Sequence, residues 1–99
     1  MKHFIVIVTY TVPLDTIKTI LQEHRDYLQN AYDKGWLLFS GPQNPWIGGV
    51  AVARAPSMED IKTFFAKDPY TYKGYATYQF IEFEPSKHQP WIQSWIIGQ

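Results

Sequence analysis

The sequence predicts an α+β fold in which a four-stranded antiparallel sheet carries two helices on one face, in the order β-α-β-β-α-β. Three observations lead to it. Four short runs of β-branched and aromatic residues are split by two stretches of helical periodicity. Glycine and proline mark the junctions. The 99 residues, 45% apolar and 17% aromatic, supply a core for one domain and leave no room for two.

The first strand is HFIVIVTY, residues 3–10. Pro13 and Asp15 open a helix that the apolar spacing carries to about Asp33, where Gly35 closes it. WLLFS (36–40) is the second strand, stopped by Gly41 and Pro42, and VAVAR (50–54) the third. Between them lies GPQNPWIGG, either an ordinary hairpin connection or the stiff aromatic wall of a pocket. Ser57 with Asp60 three residues on is a capping box for a second helix, reaching about Lys67. DPYTYKG ends it, and YATYQFIEF (75–83) is the fourth strand. A single domain of 1–99 results, with its core at about 3–85 and an aromatic tail over 86–99. In that tail Trp91, Ile92, Trp95 and Ile96 recur at helical spacing, which suggests docking at a subunit interface.

In the first strand Phe4, Val6 and Val8 point one way and Ile5 and Ile7 the other. A sheet with one wet face should alternate apolar with polar. Two helices cover one face only, so the second is expected to pack on another copy, giving a homodimer or a higher oligomer.

Composition excludes several function classes. The net charge is +0 and no run of Lys or Arg occurs, so neither nucleic acid nor an anionic membrane is an expected partner. The apolar part of MKHFIVIVTYTVP is too short for a signal peptide, and nothing is long enough to cross a bilayer. With no cysteine there is no thiolate nucleophile or Cys-based zinc site, which fits a cytoplasmic protein. His3, His24 and His88 show no metal spacing, Ser40 lacks a nucleophile elbow, and no phosphate-cradling glycine loop is present. No cofactor or metal is expected.

Two residues stand out because of where they fall. In 17-IKTILQEHRDYLQNA-31 the stripe Ile17, Leu21, Leu28 and Ala31 includes His24. In the second helix Ile61, Phe64 and Phe65 lead to Asp68 on the same stripe. If both helices lie side by side on the sheet, His24 and Asp68 converge, and a carboxylate beside an imidazole fixes its tautomer for general acid-base work. Each residue also has a plainer account. Histidine is commonly half-buried in cores, and Asp before Pro is a preferred N-cap for the turn that follows.

The order His24 in EHRDYL, 35-GWLLFSGP-42, 68-DPYTYKG-74 and Glu82 to Pro85 resembles the YciI-like (YCII-related) family over roughly residues 3–88. The resemblance implies a ferredoxin-like fold dimerising through its sheets, in the wider group of dimeric α+β barrels. It implies a His-Asp active site on His24 and Asp68, with Ser40, Gly41, Pro42 and Tyr70 near a substrate pocket. Many members carry Arg three residues before the His, where this chain has Leu21; Arg25 is the nearest replacement.

The expected activity is cofactor-independent acid-base chemistry on a small organic molecule, of isomerase, lyase or dehalogenation type. Alternatives are a non-catalytic module that binds a small molecule or serves as an accessory, and a dimeric scaffold whose aromatic tail is the working surface.

Overall fold

A computed structural model describes residues 1–98. Strand β1 (Lys2–Tyr10) is followed by α1 (Leu14–Lys18), α2 (Leu21–Asp33), β2 (Leu37–Pro42), β3 (Gly48–Ala55), α3 (Met58–Ala66), the single turn α4 (Pro69–Tyr72) and β4 (Ala76–Phe83). A 3-10 turn (Pro90–Ile92) and α5 (Gln93–Ile96) form the tail. The four strands make one antiparallel sheet in the order β2-β3-β1-β4. The chain thus has the split β-α-β-β-α-β arrangement of ferredoxin-like folds.

The inward row of β1, Phe4, Val6 and Val8, is buried with Ile17 from α1, Ile20 from the turn after it, and Ile61, Phe64 and Phe65 from α3. Each such side chain contributes about 1.5–3 kcal/mol when fully removed from water. On the other face Phe39, Val52, Ile5 and Ile81 fall in register across all four strands. Phe39 is 61% exposed and Ile81 40% exposed.

The first helix is two segments, not the single one that periodicity predicts. The amides of Thr19 and Ile20 bond three residues back, to Thr16 and Ile17, and the Thr19 hydroxyl takes the Thr16 carbonyl as well. This tightened turn ends α1, and α2 restarts at Leu21. Ile17 therefore anchors α1 in the core, while Leu21, His24 and Leu28 share α2.

Strand β2 holds a second departure from simple alternation. Leu37 pairs with Ala53 but Phe39 pairs with Val52, so Leu38 is an extra residue. Without that bulge Phe39 would face the helices and Ser40 the open side. With it Phe39 turns outward and Ser40 pairs with Ala51 on the helix side.

The tail does not wait for a neighbour. Trp95 packs edge-on against His3, and its indole N–H donates to the Gly35 carbonyl at 3.0 Å. Arg54, the cross-strand partner of His3, donates to the same carbonyl at 2.7 Å and to the Trp95 carbonyl at 2.6 Å. The tail thereby covers the Lys2 end of the open face on its own chain, while Trp91 and Ile97 stay exposed.

Candidate active site

The helix layer and the sheet part at the Tyr10 end of β1, leaving a cavity of about 390 Å³. That is within the range of pockets for small molecules. The α2 stripe explains it. Leu21, His24 and Leu28 are only half-buried because they roof this hollow instead of filling the core.

His24 Nδ1 lies 2.9 Å from Asp68 Oδ1 and 2.8 Å from Oδ2. The two residues come from α2 and from the junction of α3 and α4, 44 positions apart. A bond from the Tyr27 hydroxyl to the Phe64 carbonyl holds those elements together. Asp68 is fully buried, and its Oδ1 also accepts the Tyr70 amide at 3.0 Å, so it caps the turn that Pro69 begins. The N-cap reading and the pairing with His24 therefore describe one carboxylate.

Tyr70 lies flat on His24, with ring centroids 3.8 Å apart and planes 12° from parallel. Asp68 at one edge and Tyr70 on one face lock the imidazole, and the carboxylate favours the tautomer that carries hydrogen on Nδ1. Nε2 is then the nitrogen left with a lone pair, in a ring that borders the cavity. Burial pushes the hydroxyls of Tyr70 and Tyr78 far up, and the Asp68 carboxylate adds to both effects.

Ser40, Gly41, Pro42 and Tyr70 all border the cavity with His24, whereas Asp68 stands behind the imidazole. Arg25 lies at the mouth and Leu21 is part of the apolar wall. Sequence reasoning missed the second layer. The Tyr32 hydroxyl sits 2.6 Å from Ser40 Oγ and holds it at the rim. Trp46 donates its indole N–H to the Tyr10 hydroxyl at 2.8 Å. The GPQNPWIGG loop is thus both a connection and a wall. It is tied to β1 by the bond of the Tyr10 amide to the Ile47 carbonyl and by Gln43 Nε2, which reaches the Val8 carbonyl. Gly48 is required there, because a β-carbon would overlap the Val8 carbonyl oxygen. Among the described residues, no three His, Asp or Glu side chains gather as a metal-ligating group. Nor is any helix among them long and apolar enough to cross a membrane.

A family model described as the YCII-related domain matches residues 1–84. No curated protein matches. Among solved structures, the chain is similar to the 5-chloro-2-hydroxyhydroquinone dehydrochlorinase TftG of Burkholderia phenoliruptrix AC1100, in complex with 2,5-dihydroxybenzoquinone. The TM-score is 0.69 at 21% identity, covering 88% of this chain and 95% of that one. The likeness extends to the fold.

Proposed function

The chain belongs to the YCII-related family, and we propose that it is an enzyme that moves protons on a small planar organic molecule, using His24 as general acid-base and Asp68 as its orienting partner. The observation that carries this reading is the buried Asp68 carboxylate on His24 Nδ1, in an imidazole that borders a cavity large enough for a single ring. Base and acid strokes by one imidazole suit isomerisation, lyase chemistry or elimination of hydrogen halide. In an elimination Nε2 would take the substrate proton, the carbon-halogen bond would break with its electron pair, and the halide would leave to solvent. The dehydrochlorinase of similar fold supports this class, as does the apolar lining, which would exclude competing water. A binding-only module is favoured by one observation, that capping α4 already gives Asp68 a structural reason to exist.

The experiment is turnover on a panel of chlorinated and hydroxylated quinols, followed by ultraviolet absorbance and chloride release. His24→Asn should lower any activity found by about 10²–10⁴-fold with the unfolding midpoint little changed. Undiminished activity in this variant would defeat the acid-base reading, and ligand binding without turnover in the parent would favour the binding module.

We further propose that the row of exposed Phe39 and Ile81 with half-buried Val52 and Ile5 packs on its counterpart in a second copy, forming a homodimer. The pairing is isologous, so one substitution acts on both sides. Phe39→Asp should convert the dimer to monomer in light scattering; a parent chain that is already monomeric would refute it.

A further inference from the structure

Hydrogen-bond direction at the sheet end of the cavity leaves one donor without an acceptor. Trp46 Nε1 can only donate, so its 2.8 Å contact makes the Tyr10 oxygen the acceptor. The Tyr10 hydrogen must then point elsewhere. The Tyr70 hydroxyl, on a residue 2% exposed, lies beside that of Tyr10 and makes no well-directed hydrogen bond. Three polar hydrogens meet here: one on Trp46, one on Tyr10 and one on Tyr70. Two oxygens serve them, and the first is already taken by the indole. If Tyr70 donates to Tyr10, the Tyr10 hydrogen is left over; if Tyr10 donates to Tyr70, the Tyr70 hydrogen is. All three residues border the cavity that His24 faces. A donor left without a partner at a cavity wall is costly, and an oxygen brought from outside would relieve that cost.

We propose that Trp46, Tyr10 and Tyr70 form an oxygen-binding corner that takes the phenolic or enolic oxygen of a ring-sized ligand, favouring its anionic form. The inference rests on the reading of the cavity as a small-molecule site and adds to it the substrate class, a ring carrying an acidic hydroxyl. Donors that already accept a hydrogen bond are polarised, and such bonds strengthen when the acceptor is charged. Arg25 at the mouth adds a positive charge on the same side of the balance.

The test uses 4-nitrophenol, whose absorbance reports its ionisation, with 4-nitrotoluene as a match lacking the hydroxyl. Binding of both is measured on the parent chain, Tyr10→Phe, Trp46→Phe and His24→Asn. The corner predicts that Tyr10→Phe weakens nitrophenol about tenfold and leaves nitrotoluene unchanged. It also predicts that bound nitrophenol ionises at lower pH than free nitrophenol, and that Tyr10→Phe moves this titration back up. Trp46→Phe should act in the same direction by less. Equal losses for both probes, no loss for either, or no nitrophenol binding to the parent would overturn the proposal. His24→Asn keeps the two readings apart. If it leaves both turnover on the quinol panel and the nitrophenol preference intact, the acid-base role falls and the corner stands. If it abolishes turnover while Tyr10→Phe fails to discriminate the probes, the reverse holds.

Discussion

A histidine borders a hollow near each end of strand β1, His24 from α2 and His3 from the strand itself, and the two imidazoles have opposite surroundings. At the Tyr10 end, His24 has a buried carboxylate on one nitrogen, and its ring borders the cavity. At the Lys2 end, His3 lies 8% exposed under Trp95, with the Arg54 guanidinium as its cross-strand neighbour and, among the described residues, no carboxylate bonded to it. A second cavity of about 420 Å³ opens there, bordered by Lys2, Glu82 and Glu84. Its histidine is nevertheless held in a wall, with Nε2 buried and unpaired. Burial, then the charge of the N-terminal amine and of Arg54, holds His3 below the usual histidine range. Two histidines that border cavities thus differ in their partners: a carboxylate for His24, an indole and a guanidinium for His3.

The sharpest way to break this contrast is to remove the carboxylate. Asp68→Ala takes away both the N-cap of α4 and the partner of His24, and should cost about 2–3 kcal/mol in urea unfolding as well as turnover. Asp68→Asn retains a capping oxygen and should recover more than half of that stability while leaving turnover low. Equal stability in both variants would mean that the carboxylate serves His24 alone. At the other end Arg54→Met removes the donors to Gly35 and Trp95. A loss of about 1–2 kcal/mol is expected, with faster amide exchange at residues 92–97 and unchanged turnover. Any fall in turnover would show that the two ends communicate.

The smallest effect concerns pH. His3 is held neutral in the folded chain, so the unfolded chain binds a proton more readily. The stability tied to His3 is thus present above the ordinary value of 6.5 and is lost as pH falls below it. His3→Phe should flatten that part of the stability-pH curve. A variant whose slope below 6.5 matches the parent's would place the proton uptake elsewhere.

Much of the scaffold could be read from local patterns, because each depends on a few adjacent residues. The Ser57 side chain accepts the Asp60 amide at 3.0 Å, as the capping box requires. The four strands lie within a few residues of their predicted bounds. The approach of His24 and Asp68 followed from the helical period and the order of elements, although Asp68 lies beyond α3, as the N-cap of α4, and not on a helical stripe. What stayed hidden depends on shifts that carry no strong residue signal. The break at Thr19 and Ile20 involves neither glycine nor proline, and the bulge at Leu38 is one apolar residue among several. That bulge decides whether Ser40 or Phe39 faces the cavity, so the rim could not be assigned by alternation. The Trp46–Tyr10 and Tyr32–Ser40 bonds join residues whose approach is fixed only by the finished sheet. The packing of Trp95 within its own chain was hidden for a similar reason. The tail's apolar spacing is visible, but the Gly35 carbonyl that receives both Trp95 and Arg54 comes from the other side of the fold.

The most direct measurement is nitrogen-15 NMR of the His24 ring at a pH where it is neutral, in the parent chain and in Asp68→Asn. The account predicts hydrogen on Nδ1 and an unprotonated Nε2 in the parent, with that preference reduced in the variant. Hydrogen on Nε2 in the parent, or an identical tautomer ratio in both proteins, would contradict it.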